Sequence, residues 1–175
     1  MQRSRVRDIV LFGVGALVLV LDQVTKSWAR STLPLHRSWN PIPWLNKIMT
    51  LTYTRNTGAA FGMFQNMNSV FIGVAIVVIL AIIFYFRRYA DASWMLMVAF
   101  GLHIGGAAGN MVDRLTLGFV TDFIDFRVWP IFNVADSSVV VGTAMLAYYT
   151  LFVDRPDEDE QGVSERQQDA EVVET

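Results

Sequence analysis

The sequence predicts an all-α membrane protein of four transmembrane helices with a small β-structure inserted after the first. Three observations carry that reading. Just over half of the 175 residues are apolar while only 17% are charged, a balance that suits a bilayer rather than water. Four apolar stretches are long enough to span a hydrocarbon core of about 30 Å. The charge is segregated: from Asp154 onward there are nine acidic and two basic residues, whereas the preceding residues hold 12 basic and 7 acidic.

The first span runs Ile9–Trp28, preceded by Arg3, Arg5 and Arg7. A basic start, an apolar run and the small-x-small triplet Ser27-Trp28-Ala29 also fit a cleaved signal peptide. Asp22 and Lys26 make an awkward cleavage region, however, and three more spans follow. The second, Val70–Phe86, is a seventeen-residue apolar run closed by Arg87-Arg88. The third, Trp94–Val112, carries Gly101, Gly105 and Gly109, a doubled small-xxx-small pattern that lets another helix approach closely. The fourth is Val134–Val153. These spans make residues 1–153 a single membrane domain. The tail, 154–175, is acidic and poor in aromatics and is expected to be disordered and cytoplasmic.

Four spans put both termini on one side. With the termini inside, Lys and Arg tie at seven in and seven out, but the inner ones are denser near the spans, which favours cytoplasmic termini. Between the first and second spans lies a long connection with Pro34, Pro41 and Pro43. In it, Met49–Thr54 alternates as a short strand and Asn56-Thr57-Gly58 reads as the turn after it. The connection Leu115–Asn133 holds Phe119, Phe123, Phe126, Trp129 and Phe132, aromatics suited to the membrane–water boundary.

Ionisable residues in or beside a span need a partner or a function. Asp22 and Lys26, four apart, share a helix face and can pair. His103, alone in a glycine-rich helix, reads as a packing residue. Asn110, Asp113 and Arg114 end the third span, with Asn110 sharing a face with each of the others. Asp122 and Asp125 stand in the aromatic connection, where solvated carboxylates are the plain reading. Asn133 and Asp136 read as the N-cap and first turn of the fourth span, where the helix dipole favours a negative charge.

The residue inventory excludes much chemistry. No cysteine is present, which removes disulfides, thiolate nucleophiles and cysteine metal sites. There is no H-E-x-x-H and no G-x-S-x-G, and two isolated histidines make no zinc set. Scattered basic residues give no nucleic-acid surface. Ser137 and Ser138 have no histidine nearby in sequence, which leaves a Ser/Lys pairing with Lys26 open; otherwise carboxylates, amides and arginine remain. Two close carboxylates can share a proton, one acting as base on water and the other as acid on the carbonyl, with no metal or cofactor. A small transporter or channel using Asp and Arg, and a scaffold recruiting a partner through its acidic tail, are the alternatives. A transporter site would sit nearer the bilayer middle.

Five segments, in order, resemble the bacterial lipoprotein signal peptidase (signal peptidase II) family: Asp22-Gln-Val-Thr-Lys26, Asn56-Thr-Gly-Ala-Ala-Phe61, Gly105-Gly-Ala-Ala-Gly-Asn110-Met-Val-Asp113-Arg114, Val120-Thr-Asp122-Phe and Phe132-Asn-Val-Ala-Asp136-Ser137. The resemblance implies an aspartic endopeptidase of the bacterial inner membrane, with its site toward the extracytoplasmic face. It would remove prolipoprotein signal peptides, cutting before a diacylglyceryl-modified cysteine. It implies Asp122 and Asp136 as the catalytic pair, a choice over Asp113 and Asp125 that spacing alone does not make. Asn56, Asn110, Arg114 and Asn133 match positions that hold substrate and support the pair. Asp22, Lys26 and Asp113 match structural polar positions, and the stretch after the first span matches an extracytoplasmic β-platform. Substrate and membrane lipid are the partners expected; neither nucleic acid nor an obligatory protein partner is indicated.

Overall fold

The computed structural model describes residues 2–58, 63–86 and 93–153, with side chains from Arg5 onward. The acidic tail, Arg87-Arg88 and part of the Asn56–Phe61 segment lie outside the described residues. Four helices carry the chain: α1 (Gln2–Thr32), α2 (Asn68–Phe86), α3 (Trp94–Leu117) and α4 (Val134–Tyr148), the last continuing as a π-helical turn, Tyr149–Val153. All four are long and apolar enough to cross a membrane. Helices α1 and α3 outrun their apolar stretches, because the polar residues in their final turns find partners instead of breaking the helix.

Helices α1, α3 and α4 pack through glycine. A Cβ on Gly105 would lie 2.6 Å from the Gly15 carbonyl oxygen of α1, and one on Gly106 would lie 2.6 Å from the Ala135 carbonyl oxygen of α4. Without side chains at these two positions, α3 touches backbone on both sides, the close approach that drives helix association in lipid. At the end remote from the polar residues, Leu11, Leu96 and Met97 form a buried apolar cluster. His103 is a packing residue there, its ring bonded to the Ala99 carbonyl at 2.8 Å and the Thr143 hydroxyl at 3.1 Å. Helix α2 lies on the outside, and none of its described side chains is buried.

A three-stranded antiparallel sheet, order β1-β2-β3, sits at the other end: β1 is Ser38–Trp39, β2 Thr50–Asn56 and β3 Val120–Asp125. Strand β2 starts and ends slightly later than the alternation predicts. The larger departure is β3. It comes from the connection between the third and fourth helices, so the sheet is more than an insertion after the first helix. A strand there lacks a clean alternation because both of its faces are covered. Phe123 joins Ala29, Leu33 and Tyr53 in a cluster that seats the sheet on α1, while Val120 and Asp122 face a cavity on the other side. Past β3 the chain doubles back, with Phe123 and Ile124 N–H groups donating to the Phe132 carbonyl at 3.0 and 2.8 Å. That return delivers Asn133 to the side of Asp122.

Candidate active site

Asp122 lies on β3 opposite Thr54 of β2, next to a register shift between Leu51 and Thr54. An extra residue in one strand kinks it and re-aims the neighbouring side chains. Asp122 is only 2% exposed. Its two oxygens are each held by an amide: Asn133 Nδ2 donates to Oδ1 at 2.7 Å and Asn56 Nδ2 to Oδ2 at 3.0 Å. Asn56 is fixed in turn by the Gly58 N–H, which donates to its Oδ1 at 2.9 Å. Asp122 is therefore no solvated loop carboxylate.

Asp136 stands in the first turn of α4, capped as the Asn133/Asp136 spacing predicts. The Asp136 N–H donates to Asn133 Oδ1 at 3.0 Å, and the Asn133 N–H donates back to Asp136 Oδ2 at 3.2 Å, a reciprocal capping box. The other oxygen, Oδ1, accepts from Asn110 Nδ2 at 2.7 Å. Fully buried Asn133 thus serves both aspartates, through its backbone and side-chain oxygen to Asp136 and through its amide nitrogen to Asp122.

Asn110 is oriented by its second partners. Its Oδ1 accepts from Lys26 Nζ at 2.8 Å and from Asn133 Nδ2 at 3.1 Å, leaving its NH2 to face Asp136. Arg114, one turn further on α3, donates to the Gly58 carbonyl at 3.2 Å and stacks over Phe71 of α2 at 4.7 Å from the ring centre. Its Nε is buried with no hydrogen-bond partner among the described residues, an unspent donor beside the two carboxylates. Asp22 and Lys26 form the expected pair at 2.8 Å, both fully buried, and Lys26 also lies 3.7 Å from Asp113.

The two aspartates, Asn56, Asn110 and Arg114 line one cavity of about 440 Å³, walled by Trp129–Phe132 and by Val139 and Val140 of α4. Burial, and then the neighbouring charge of Asp136, push Asp122 from 3.8 up to about 7. A carboxyl group so placed keeps its proton near neutral pH, as one member of an interacting acid pair must. Asn133 belongs to the wall behind the pair rather than to the lining. Asp113 faces α1 and β3, and Asp125 binds Thr50, Thr52 and the Arg127 N–H on the sheet. Of the carboxylates at this end, Asp122 and Asp136 alone among the described residues reach the cavity. No group of His, Cys, Asp or Glu that could hold a metal ion occurs among the described residues. Sequence reasoning missed Gln23, Arg30, Thr121 and Phe71, which meet the site or its supports only through contacts between distant segments.

Comparison with known proteins agrees with this architecture. Residues 14–152 match the family model described as signal peptidase (SPase) II. The lipoprotein signal peptidase of Halothermothrix orenii is 40% identical over 140 residues, covering 80% of this chain and 94% of its own length. That of Symbiobacterium thermophilum is 40% identical over 146 residues, covering 81% and 94%, and that of Shewanella halifaxensis is 37% identical over 164 residues, covering 88% and 93%. A solved bacterial membrane enzyme superposes with a TM-score of 0.70 at 32% identity, over 82% of this chain and 91% of that one.

Proposed function

The chain belongs to the signal peptidase II family, and on that premise we propose that it is an aspartic endopeptidase whose catalytic pair is Asp122 and Asp136. It is a bacterial membrane protease that removes signal peptides from prolipoproteins. The observation that carries the aspartic reading is the amide cage: two carboxylates on one cavity, each held at both oxygens by amide donors.

The pair is unequal. Asp136 sits at a helix N-terminus, where the dipole favours its charge; Asp122 is buried in a strand and holds the shared proton. Asp136 then takes a proton from water as the water oxygen bonds to the scissile carbonyl carbon. Asp122 gives its proton to the carbonyl oxygen. Collapse of the tetrahedral intermediate breaks the C–N bond: one hydroxyl of the intermediate returns its proton to Asp122 as the carbonyl re-forms, and the proton on Asp136 goes to the leaving nitrogen. Arg114, whose Nε has no partner among the described residues, and Asn56 hold the substrate backbone; Asn56 also holds the pair, together with Asn110 and Asn133.

The cut falls before a diacylglyceryl-modified cysteine. The apolar wall of Val139, Val140 and Trp129–Phe132 supports this, since a lipid-bearing peptide needs apolar and polar surfaces on one cavity. Both termini are cytoplasmic, with the sheet and cavity at the extracytoplasmic face. Transport is disfavoured by the family match and by the position of the pair, one at the N-terminus of α4 and the other in the sheet beyond the helices. Purified enzyme should cleave a lipidated pre-substrate, whereas Asp122→Asn and Asp136→Asn should not; activity surviving either change refutes the pair.

A further inference from the structure

Two buried carboxylates outside the cavity, Asp22 on α1 and Asp113 on α3, remain without a part in the mechanism. Asp22 Oδ1 accepts the backbone N–H of Ala135 at 3.0 Å, and Asp113 Oδ2 accepts the backbone N–H of Thr121 at 2.8 Å. Ala135 immediately precedes Asp136, and Thr121 immediately precedes Asp122. Each reactive aspartate is thus preceded by a peptide N–H pinned to a buried acid.

Neither N–H is needed elsewhere. The first N–H groups of a helix have no intrahelical acceptor, so the Ala135 group is available to α1. The Thr121 group turns toward α3. The two anchors are also tied to each other. Lys26 Nζ lies 2.8 Å from Asp22 and 3.7 Å from Asp113. Gln23 Nε2 lies 3.1 Å from Asp22 Oδ2 and 3.4 Å from Asp113 Oδ1, and donates to the Gly109 carbonyl at 3.1 Å. Gly109 has no side chain because one would strike the Asp22 carboxylate. Arg30 completes the set, bonding Thr121 Oγ1 at 3.0 Å and approaching Asp113 at 3.5 Å. A buried ion pair is poor value as stability alone, since desolvation consumes most of the attraction. One that clamps two separate backbones at a fixed spacing has another use.

We propose that Asp22 and Asp113, bridged by Lys26 and Gln23, are positioning residues that set the separation of Asp122 and Asp136 by each holding the peptide N–H just before one of them. This rests on the reading of those two aspartates as the catalytic pair. The helix α4 and the strand β3 arrive from different directions, and the clamp makes their meeting point a property of α1 and α3.

The test deletes the pinned N–H and leaves every side chain in place. Full-length enzyme is made with lactic acid in place of Ala135, or with the α-hydroxy analogue of threonine in place of Thr121, so that an ester replaces one amide. Cleavage of a lipidated pre-substrate is followed against pH, with thermal midpoints recorded alongside. Arg114 of α3, which faces the pair, and the charged groups behind it, Asp22 and Lys26 of α1 and Asp113 of α3, are all retained, so a changed profile reports geometry. The expected result is a fall in kcat of about 10-fold or more with KM within about 3-fold, since sub-ångström misplacement of reacting groups is costly. The acid and alkaline limbs should also draw together, because separating two carboxylates weakens the coupling that splits their apparent pKa values. A kcat within about 2-fold of wild type and unmoved limbs in both ester variants would overturn the proposal.

Side-chain variants give an independent check should an ester variant fail to fold. The double change Asp22→Asn with Lys26→Met keeps an acceptor for Ala135, whereas Asp22→Leu with Lys26→Met removes it at similar volume. Positioning requires the second to be slower in kcat at equal KM; equal kcat overturns it. Asp122→Asn and Asp136→Asn are assayed in parallel. If these are active, the catalytic pair itself is wrong; if they are inactive while the anchor-deleted enzymes behave as wild type, only the clamp is wrong.

Discussion

Helices α2 and α3 cross the bilayer side by side and are built on different terms. Between Ser69 and Tyr85, α2 has no polar side chain but tyrosine at its end, and none of its described side chains is buried. Helix α3 carries His103, Asn110, Asp113 and Arg114, and every one of them has a partner on another element. Where α3 meets α1 and α4, glycine brings backbones together. Where α2 meets α3 near the site, the face of Phe71 lies beneath Arg114, and Asn68 donates to the Gly118 carbonyl at the end of α3. The difference teaches that the polar cluster is held by α1, α3, α4 and the sheet, while α2 is an outer wall whose described side chains are not buried.

The comparison breaks most completely at the rigid side. Asp122→Asn or Asp136→Asn should lower kcat by about 10³-fold or more, as removal of an acid–base partner does, while both variants still unfold in a cooperative thermal transition. Kinetics of the purified variants in detergent or nanodiscs decide this, and a loss of only a few-fold would move the chemistry elsewhere.

A matched pair of glycines tests the two helices directly. Gly105→Ile must push α1 away, since even a Cβ would lie 2.6 Å from the Gly15 oxygen and from Val18 Cβ. The expected cost is about 3 kcal/mol or more, with loss of expression or a large fall in midpoint. A Cβ at Gly73 on α2 would meet nothing within 4 Å, so Gly73→Ile should keep wild-type stability and activity. Equal sensitivity of the two would show that α2 is packed as firmly as α1.

The next effect is smaller and depends on pH. The Asp122 carboxyl is raised to about 7 from 3.8. The folded chain therefore binds a proton that the unfolded chain has released between those values. Stability from this group is complete below about 3.8, and it is lost as pH rises through about 7. Activity that needs the proton on Asp122 should fall over the same alkaline range. Asp122→Asn cannot ionise, so its thermal midpoint should gain on that of wild type by about 5 °C between acid pH and pH 8, whatever fixed offset follows from placing an amide NH2 against the Asn56 or Asn133 donor. A midpoint difference that stays flat with pH would place the shared proton elsewhere.

How much of this was legible without coordinates depends on the range of the interaction. The four helices follow from runs of apolar residues, and the Asn133/Asp136 cap from a spacing of three, both local signals. The Asp22–Lys26 pair followed from helical periodicity. Strand β3 did not, because it is covered on both faces and the alternation that marks a half-buried strand is absent. The Asn133–Asp122 bond spans eleven residues of turn, and the Lys26–Asn110 bond spans 84. No pattern along the chain announces such contacts. The resemblance points to Asp122 over Asp113 and Asp125; that choice is a proposal, which the geometry supports, since Asp113 is spent on the Thr121 N–H and Asp125 on the sheet.

The weakest expected effect falls at the joint between the two helices. Phe71 presents its ring to Arg114 at 4.7 Å, and such a contact is worth about 1 kcal/mol. Phe71→Leu keeps the apolar bulk of α2 but removes the π-face, so Arg114 should lose restraint without losing its bond to the Gly58 carbonyl. Because Arg114 is proposed to hold substrate rather than to transfer a proton, KM should rise about 3- to 5-fold while kcat holds. Phe71→Tyr, which keeps the face, should restore the wild-type KM. A fall in kcat instead would mean that α2 helps to set the catalytic geometry, and the division between a rigid three-helix site and an outer wall would no longer stand.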